Sequence, residues 1–142
     1  MNPVYRKRII LGVTGSIAAY KAVEIASTLT KMGALVDVIL SAGGEKFVTP
    51  LTFRSVTGRA ACTNESLWTS EDHVPHITLG HTADCVVVAP ASANAMADIA
   101  LGRGDTLLPL TILASDCPLL IAPAMDGDRK STRLNSSHAR LS

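Results

Sequence analysis

The residues of this 142-residue chain whose types and spacing suit chemistry fall where apolar runs stop. In GVTGS, residues 12–16, Gly15 permits a tight turn and Ser16 is a good helix cap. A strand, a glycine turn and a helix start leave free N–H groups and a positive dipole end aimed at one spot, which suits a phosphate. The spacing is not G-x-G-x-x-G, because Gly12 and Gly15 are three apart with no third glycine, and the G-K-[ST] of a P-loop is missing. A plain strand-to-helix corner would use the same residues. PASAN, residues 90–94, repeats the pattern, with Ser92 and Asn94 offering side chains beside the N–H groups of another helix start. Ser41 follows a second apolar run and either hydrogen-bonds a ligand or caps the next helix. His76 stands between the turns, where an imidazole either moves a proton or serves structure alone.

These residues must be positioned by alternating strands and helices. Ile9 to Val13 is apolar on both faces, as a parallel strand covered by helices should be. Residues 17–32 place Ala18, Ala22, Ile25, Leu29 and Met32 at helical spacing, with Lys21, Glu24, Thr28 and Lys31 opposite and Gly33 as the stop. Ala34 to Leu40 reads as the second strand, so one right-handed βαβ unit is complete. Glu45 to Gly58 is predicted as a broken helix with Pro50 opening its second piece, and Ala60 to Thr63 as a short third strand. The polar stretch from Asn64 to Pro75 reads as a loop. A helix over 76–83, a strand over Asp84–Ala89, a turn over Pro90–Asn94 and a helix over Ala95–Leu101 follow, then a helix over Thr106–Ser115 and a strand over Pro118–Ala122. About five strands alternating with helices predict an α/β fold, a three-layer Rossmann-like parallel sheet whose ligand edge carries both turns.

Composition limits the function. The chain is 47% hydrophobic and only 4% aromatic, ample for an aliphatic core of one domain. Four of its basic residues, Arg129, Lys130, Arg133 and Arg140, crowd the end; residues 1–128 hold 9 basic against 12 acidic residues, net −3, so no nucleic acid is implied. Cys62, Cys85 and Cys117 show no metal-ligand spacing, and Cys85 reads as a core residue. The absence of a signal peptide or an 18-residue apolar span predicts a cytoplasmic chain with no membrane partner.

Taken together, GVTGSIAAYKA, the tetrad His76-Ile77-Thr78-Leu79, APASANAMADIA followed by GxxD and two leucines, and APAM resemble the flavin-dependent cysteine decarboxylases. The resemblance spans roughly residues 6–127 and is strongest to the phosphopantothenoylcysteine decarboxylases of coenzyme A synthesis. It implies a flavoprotein fold with FMN at the carboxyl edge of the sheet. The phosphate would lie near Gly15, Ser16 and Ile17, with Ser41, Pro90, Ala91, Ser92 and Asn94 completing the cofactor site and no metal. In that family FMN oxidises the substrate cysteine thiol to a thioaldehyde, loss of the carboxylate follows, and the resulting enethiol is reduced. His76 matches the family's catalytic histidine. Met125 and Asp126 fall in the substrate-binding P-x-M-N motif, where Asp126 replaces an asparagine that contacts the substrate carboxylate. An aspartate there repels a carboxylate unless it is protonated or turned away. Family members assemble as homo-trimers or larger, with small-molecule substrates.

Beyond residue 128 the resemblance stops. Residues 129–142 are polar and basic without apolar periodicity, so they read as a non-native disordered tail after an incomplete FMN-binding decarboxylase domain over 1–128. The family's further helix, strand, cysteine-bearing clamp loop and, in many bacterial members, fused ligase domain are expected in a longer parent. The chain itself is then expected to bind flavin weakly and to turn over poorly. Other readings keep the fold: a peptidyl-cysteine decarboxylase, a flavin prenyltransferase, or a non-catalytic FMN-binding subunit of an oligomer. A nicotinamide dehydrogenase is disfavoured, since Ser41 and no acidic residue follows the second strand.

Overall fold

Four short apolar segments build the sheet that places both turns. In the computed structural model, which describes residues 2–69 and 75–124, these are β1 (Arg8–Val13), β2 (Leu35–Leu40), β3 (Cys85–Ala91) and β4 (Leu119–Pro123). They pair in parallel in the order β2-β1-β3-β4. The expected third strand shrinks to a single parallel bridge, Ile39 to Cys62, because the chain turns again at Asn64 after one ladder step. Cys62 N–H donates to Val38 and Leu40 N–H donates to the Cys62 carbonyl, so this stub still extends the β2 edge. A bidentate ion pair between Arg59 and Asp37, with Nε to Oδ1 at 2.8 Å, ties the stub to the strand it joins.

The period-2 alternation of the strands sorts the core into two layers. Ile9, Leu11 and Val13 of β1 join Val36, Val38 and Leu40 of β2 beneath α1 (Ala19–Lys31) and α2 (Pro50–Thr57), sealed by fully buried Phe53. Ile10, Ile39, Val86 and Val88 face the other side, under Met96, Leu107 and Leu108. That layer is built from α3 (Ser66–Thr69), α4 (Pro75–Thr82), α5 (Ala93–Leu101) and α6 (Leu107–Leu113). Gly12 lies on this face, where an added Cβ would stand 2.8 Å from the Leu108 methyls, so a missing side chain lets α6 sit close to the sheet. The result is the three-layer parallel α/β fold that the alternation predicts.

Strand β3 does not keep strict alternation. Its pairing with β4 shifts between Val88 and Ala91, and Ala91 turns into the α6-side core. Pro90 and Ala91 are therefore the end of a strand, where the sequence suggests a turn. In β4 only one face is covered: Leu119 and Ile121 pack on the α6-side core, while Leu120 is 59% exposed on the α1 side. No helix among the described residues is long and apolar enough to cross a membrane.

Candidate functional site

The chain enters β1 between two neighbours reached by connections on opposite sides, β2 and β3, so the carboxyl ends of β1 and β3 form the switch point where open α/β sheets bind ligands. One buried side chain joins the two ends. Thr14, 1% exposed, donates its hydroxyl to the Pro90 carbonyl at 2.7 Å and accepts the Ser92 N–H at 2.8 Å. Its own N–H also donates to the Pro90 carbonyl, at 3.2 Å. Both turns recognised in the sequence thus share one floor. Thr14 itself was visible only as a turn residue, because its role depends on partners 76 and 78 positions away.

Above that floor the backbone forms a donor nest. Ser16 Oγ accepts from Ala18 N–H at 3.1 Å and the Ser16 carbonyl from Ala19 N–H at 2.9 Å, so the helix begins at Ala19 and its cap position is Ala18. The sequence suggested a start at residue 17 capped by Ser16; the serine instead closes a local turn before the helix. The N–H groups of Gly15, Ser16 and Ile17 have no acceptor among the described residues. Three such donors at the start of a thirteen-residue helix match the acceptor oxygens of a phosphate. Two glycine loops brace the nest from behind: a Cβ on Gly15 would approach Gly43 Cα at 3.1 Å, and one on Gly44 would collide with the Val13 carbonyl.

The other expected site residues gather around the same edge. Ser92, not a residue of a longer turn, caps α5 by accepting Ala95 N–H at 3.1 Å, which moves Asn94 into the first helical turn. Ser41 accepts Gly44 N–H at 3.0 Å while its own N–H donates to the Val13 carbonyl, so its side chain closes a local turn ahead of the short helical turn Gly44–Lys46, whose cap position is Gly43. It also lines, with Thr14, Asn64, Asp98, Thr106 and Leu108, a small cavity of about 40 Å³ on the α6 side. Asn64 was read as plain loop; its Oδ1 accepts Leu107 N–H at 3.1 Å and so caps α6 at the cavity wall. An asparagine is a weak signal in a polar stretch, and only the partner gives it meaning.

His76 lies in the first turn of α4, and its side chain lies outside the described residues, as do Met125 and Asp126. The described chain approaches the substrate motif through Ala124, whose N–H donates to the Ala91 carbonyl at 3.0 Å. Strand β4 therefore exits beside the end of β3. All three cysteines are free. Burial, the nearby Asp37 carboxylate and, opposing them, a Ser66 hydrogen bond leave the Cys62 thiol with a raised pKa, and burial with Cys117 alongside raises that of Cys85. Neither is activated as a thiolate. Among the described residues no three metal-ligating side chains converge.

The profile of the Flavoprotein family matches residues 3–139. This chain belongs to that family. The flavoprotein is 44% identical over 119 residues to the coenzyme A biosynthesis bifunctional protein CoaBC of Mycobacterium tuberculosis, a match covering 84% of this chain and 28% of the relative. The CoaBC protein of Vibrio cholerae is 40% identical over 126 residues, covering 89% and 32%. The flavoprotein thus spans about a third or less of the length of these curated relatives. Among solved structures it resembles the FMN-dependent cysteine decarboxylase SpaF, with a TM-score of 0.83 and 30% identity, covering 96% of this chain and 81% of that one. It also resembles a PPC decarboxylase variant complexed with pantothenoylaminoethenethiol, with a TM-score of 0.80 and 30% identity, covering 96% and 76%.

Proposed function

We propose that this flavoprotein binds FMN with its phosphate on the Gly15–Ile17 nest and serves the decarboxylation of 4'-phosphopantothenoylcysteine to 4'-phosphopantetheine in coenzyme A biosynthesis. The observation that carries the reading is the set of three unaccepted N–H groups standing on the Thr14 floor at the switch point. The 40–44% identity to CoaBC proteins supports the choice of substrate. When bound, FMN would supply reversible two-electron oxidation of the substrate thiol. The net reaction replaces a carboxylate by a proton with release of carbon dioxide, and is redox-neutral.

The chain's own residues then have definite tasks. Gly15, Ser16 and Ile17 hold the phosphate by backbone donors, and Ser41, Pro90, Ala91, Ser92 and Asn94 shape the flavin's surroundings. His76 moves the proton or steadies the departing carboxylate, and Met125 and Asp126 meet the substrate. The working domain in this reading is residues 1–128, a division that rests on the polar, basic composition of 129–142, although the family match runs on to residue 139. The setting is the cytoplasm.

Titrating the purified chain with FMN is expected to give a bound flavin spectrum at a stoichiometry near one. Absence of binding overturns the reading. In a full-length version with phosphopantothenoylcysteine as substrate, His76→Asn is expected to lower carbon dioxide release by about 100-fold, the usual scale for a lost proton-transfer group, without changing FMN affinity. Equal release from both proteins would leave a cofactor-binding role only. Exposed Ile17, Tyr20, Phe47 and Leu51 around the loops after β1 and β2 support a homo-oligomer of three or more subunits. Light scattering of the eluting protein checks this, and a monomer mass refutes it.

A further inference from the structure

The uncovered face of β4 and helix α1 enclose a groove of about 180 Å³ beside the switch point, on the side opposite the Ser41 cavity. Its walls are small and apolar: Ala18, Ala22 and Ile25 from the helix, Pro90 from β3, Ala122 and Pro123 from β4. One charged side chain lines it, that of Lys21. The ammonium of Lys21 has neither an ion-pair nor a hydrogen-bond partner among the described residues. Across the sheet edge the charged residue lining the smaller cavity is an acid, Asp98, ion-paired with Arg103 at 3.9 Å.

We infer that this groove takes the cysteinyl end of the substrate and that Lys21 binds its carboxylate. The inference rests on the decarboxylase reading above and adds a residue to it. Charge decides the side. A carboxylate is drawn to an ammonium unpaired among the described residues, whereas the charged residue of the other face, Asp98, is an acid that already holds a cation. Size decides which part of the substrate enters, since about 180 Å³ is below the roughly 300 Å³ of a pocket for a drug-sized ligand and suits a short end rather than a whole phosphopantothenoyl chain. Position agrees: Lys21 is the third residue of α1, which starts two residues after Ile17, so the carboxylate would sit beside the nest but not on it. The nest supplies its donors to the flavin phosphate, and the lysine remains for a second anion. An aspartate at position 126, where the family has asparagine, makes a separate cation for the carboxylate more necessary.

The product lacks the carboxylate and keeps the phosphate, which makes a direct test. Dissociation constants of phosphopantothenoylcysteine, phosphopantetheine and FMN are measured by calorimetry for the flavin-loaded chain and for Lys21→Gln and Lys21→Arg. Lys21→Gln is expected to weaken the substrate about 10-fold or more, with product and FMN unchanged and Lys21→Arg close to the parent. Equal weakening of substrate and product assigns the lysine to the substrate phosphate and overturns the inference. Weaker FMN binding, with riboflavin unaffected, assigns it to the flavin phosphate and does the same. If the parent chain binds substrate and Lys21→Gln binds it equally well, only the lysine assignment falls. If the parent binds FMN but neither substrate nor product, the decarboxylase reading falls with it.

Discussion

Replacing Thr14 by Val is expected to lower unfolding stability by about 1–3 kcal/mol and to weaken FMN binding in parallel. Valine preserves the shape and removes only the hydroxyl, yet that hydroxyl serves two backbone groups: it donates to the buried Pro90 carbonyl and accepts from the half-buried Ser92 N–H. Without it, the half-buried Ser92 N–H loses its acceptor, while the Pro90 carbonyl keeps the Thr14 N–H. Each buried group left unsatisfied costs about 1–3 kcal/mol. For a chain of this size about 1 kcal/mol corresponds to roughly 3 °C, so melting should fall by roughly 3–9 °C. Thr14→Ser, which restores the hydroxyl, should recover most of the loss. A valine variant that melts with the parent would show that the two strand ends are held by something else.

Gly44→Ala should cost about 3 kcal/mol, at the upper end of ordinary overpacking. The reason is space and not backbone conformation, since the added methyl would collide with the Val13 carbonyl at the end of β1 and crowd a Leu40 methyl at 3.3 Å. A backbone oxygen cannot swing aside as a side chain can, so the loop after β2 must retreat from β1. Ser41 and Gly43 would move with it, and Gly43 braces Gly15. FMN affinity should therefore drop as well. Gly58→Ala provides the contrast: φ is 72° there, but nothing lies within 4 Å of the new methyl. That change should cost only about 1 kcal/mol and leave FMN binding unaltered. Equal melting temperatures for the two variants would refute the steric account.

Much of this site is local chemistry, and that part is legible in the sequence. The apolar runs, the turn at Gly15 and Ser16 and the stops at Gly33 and Gly58 each depend on a few neighbouring residues. The alternation of strands and helices fixes the layers, and the ordered motifs point to the family. What escapes is set by distant partners. Thr14 looks like any turn residue until Pro90 arrives, and Asn64 like loop filler until Leu107 needs an acceptor. Asp37 reads as a blemish in an apolar strand; Arg59, 22 positions later, makes it a clasp. The strand stub at Cys62 and the continuation of β3 through Pro90 and Ala91 fail for a related reason. Pairing length is decided by the neighbouring strand, and local propensity sees only one side of the ladder.

The 76- and 78-residue reach of Thr14 bears on how the site comes into being. As the polypeptide grows from its amino end, the first βαβ unit and its glycine loops are synthesised long before their foundation. The nest can close around Ser16 with local bonds alone, while its threonine waits for a carbonyl and an amide made some seventy residues later. Closing a loop of that length costs more chain entropy than the local bonds around Ser16 do. The pocket is complete only when both parts are present, and a half-made protein offers the phosphate a handhold without a floor.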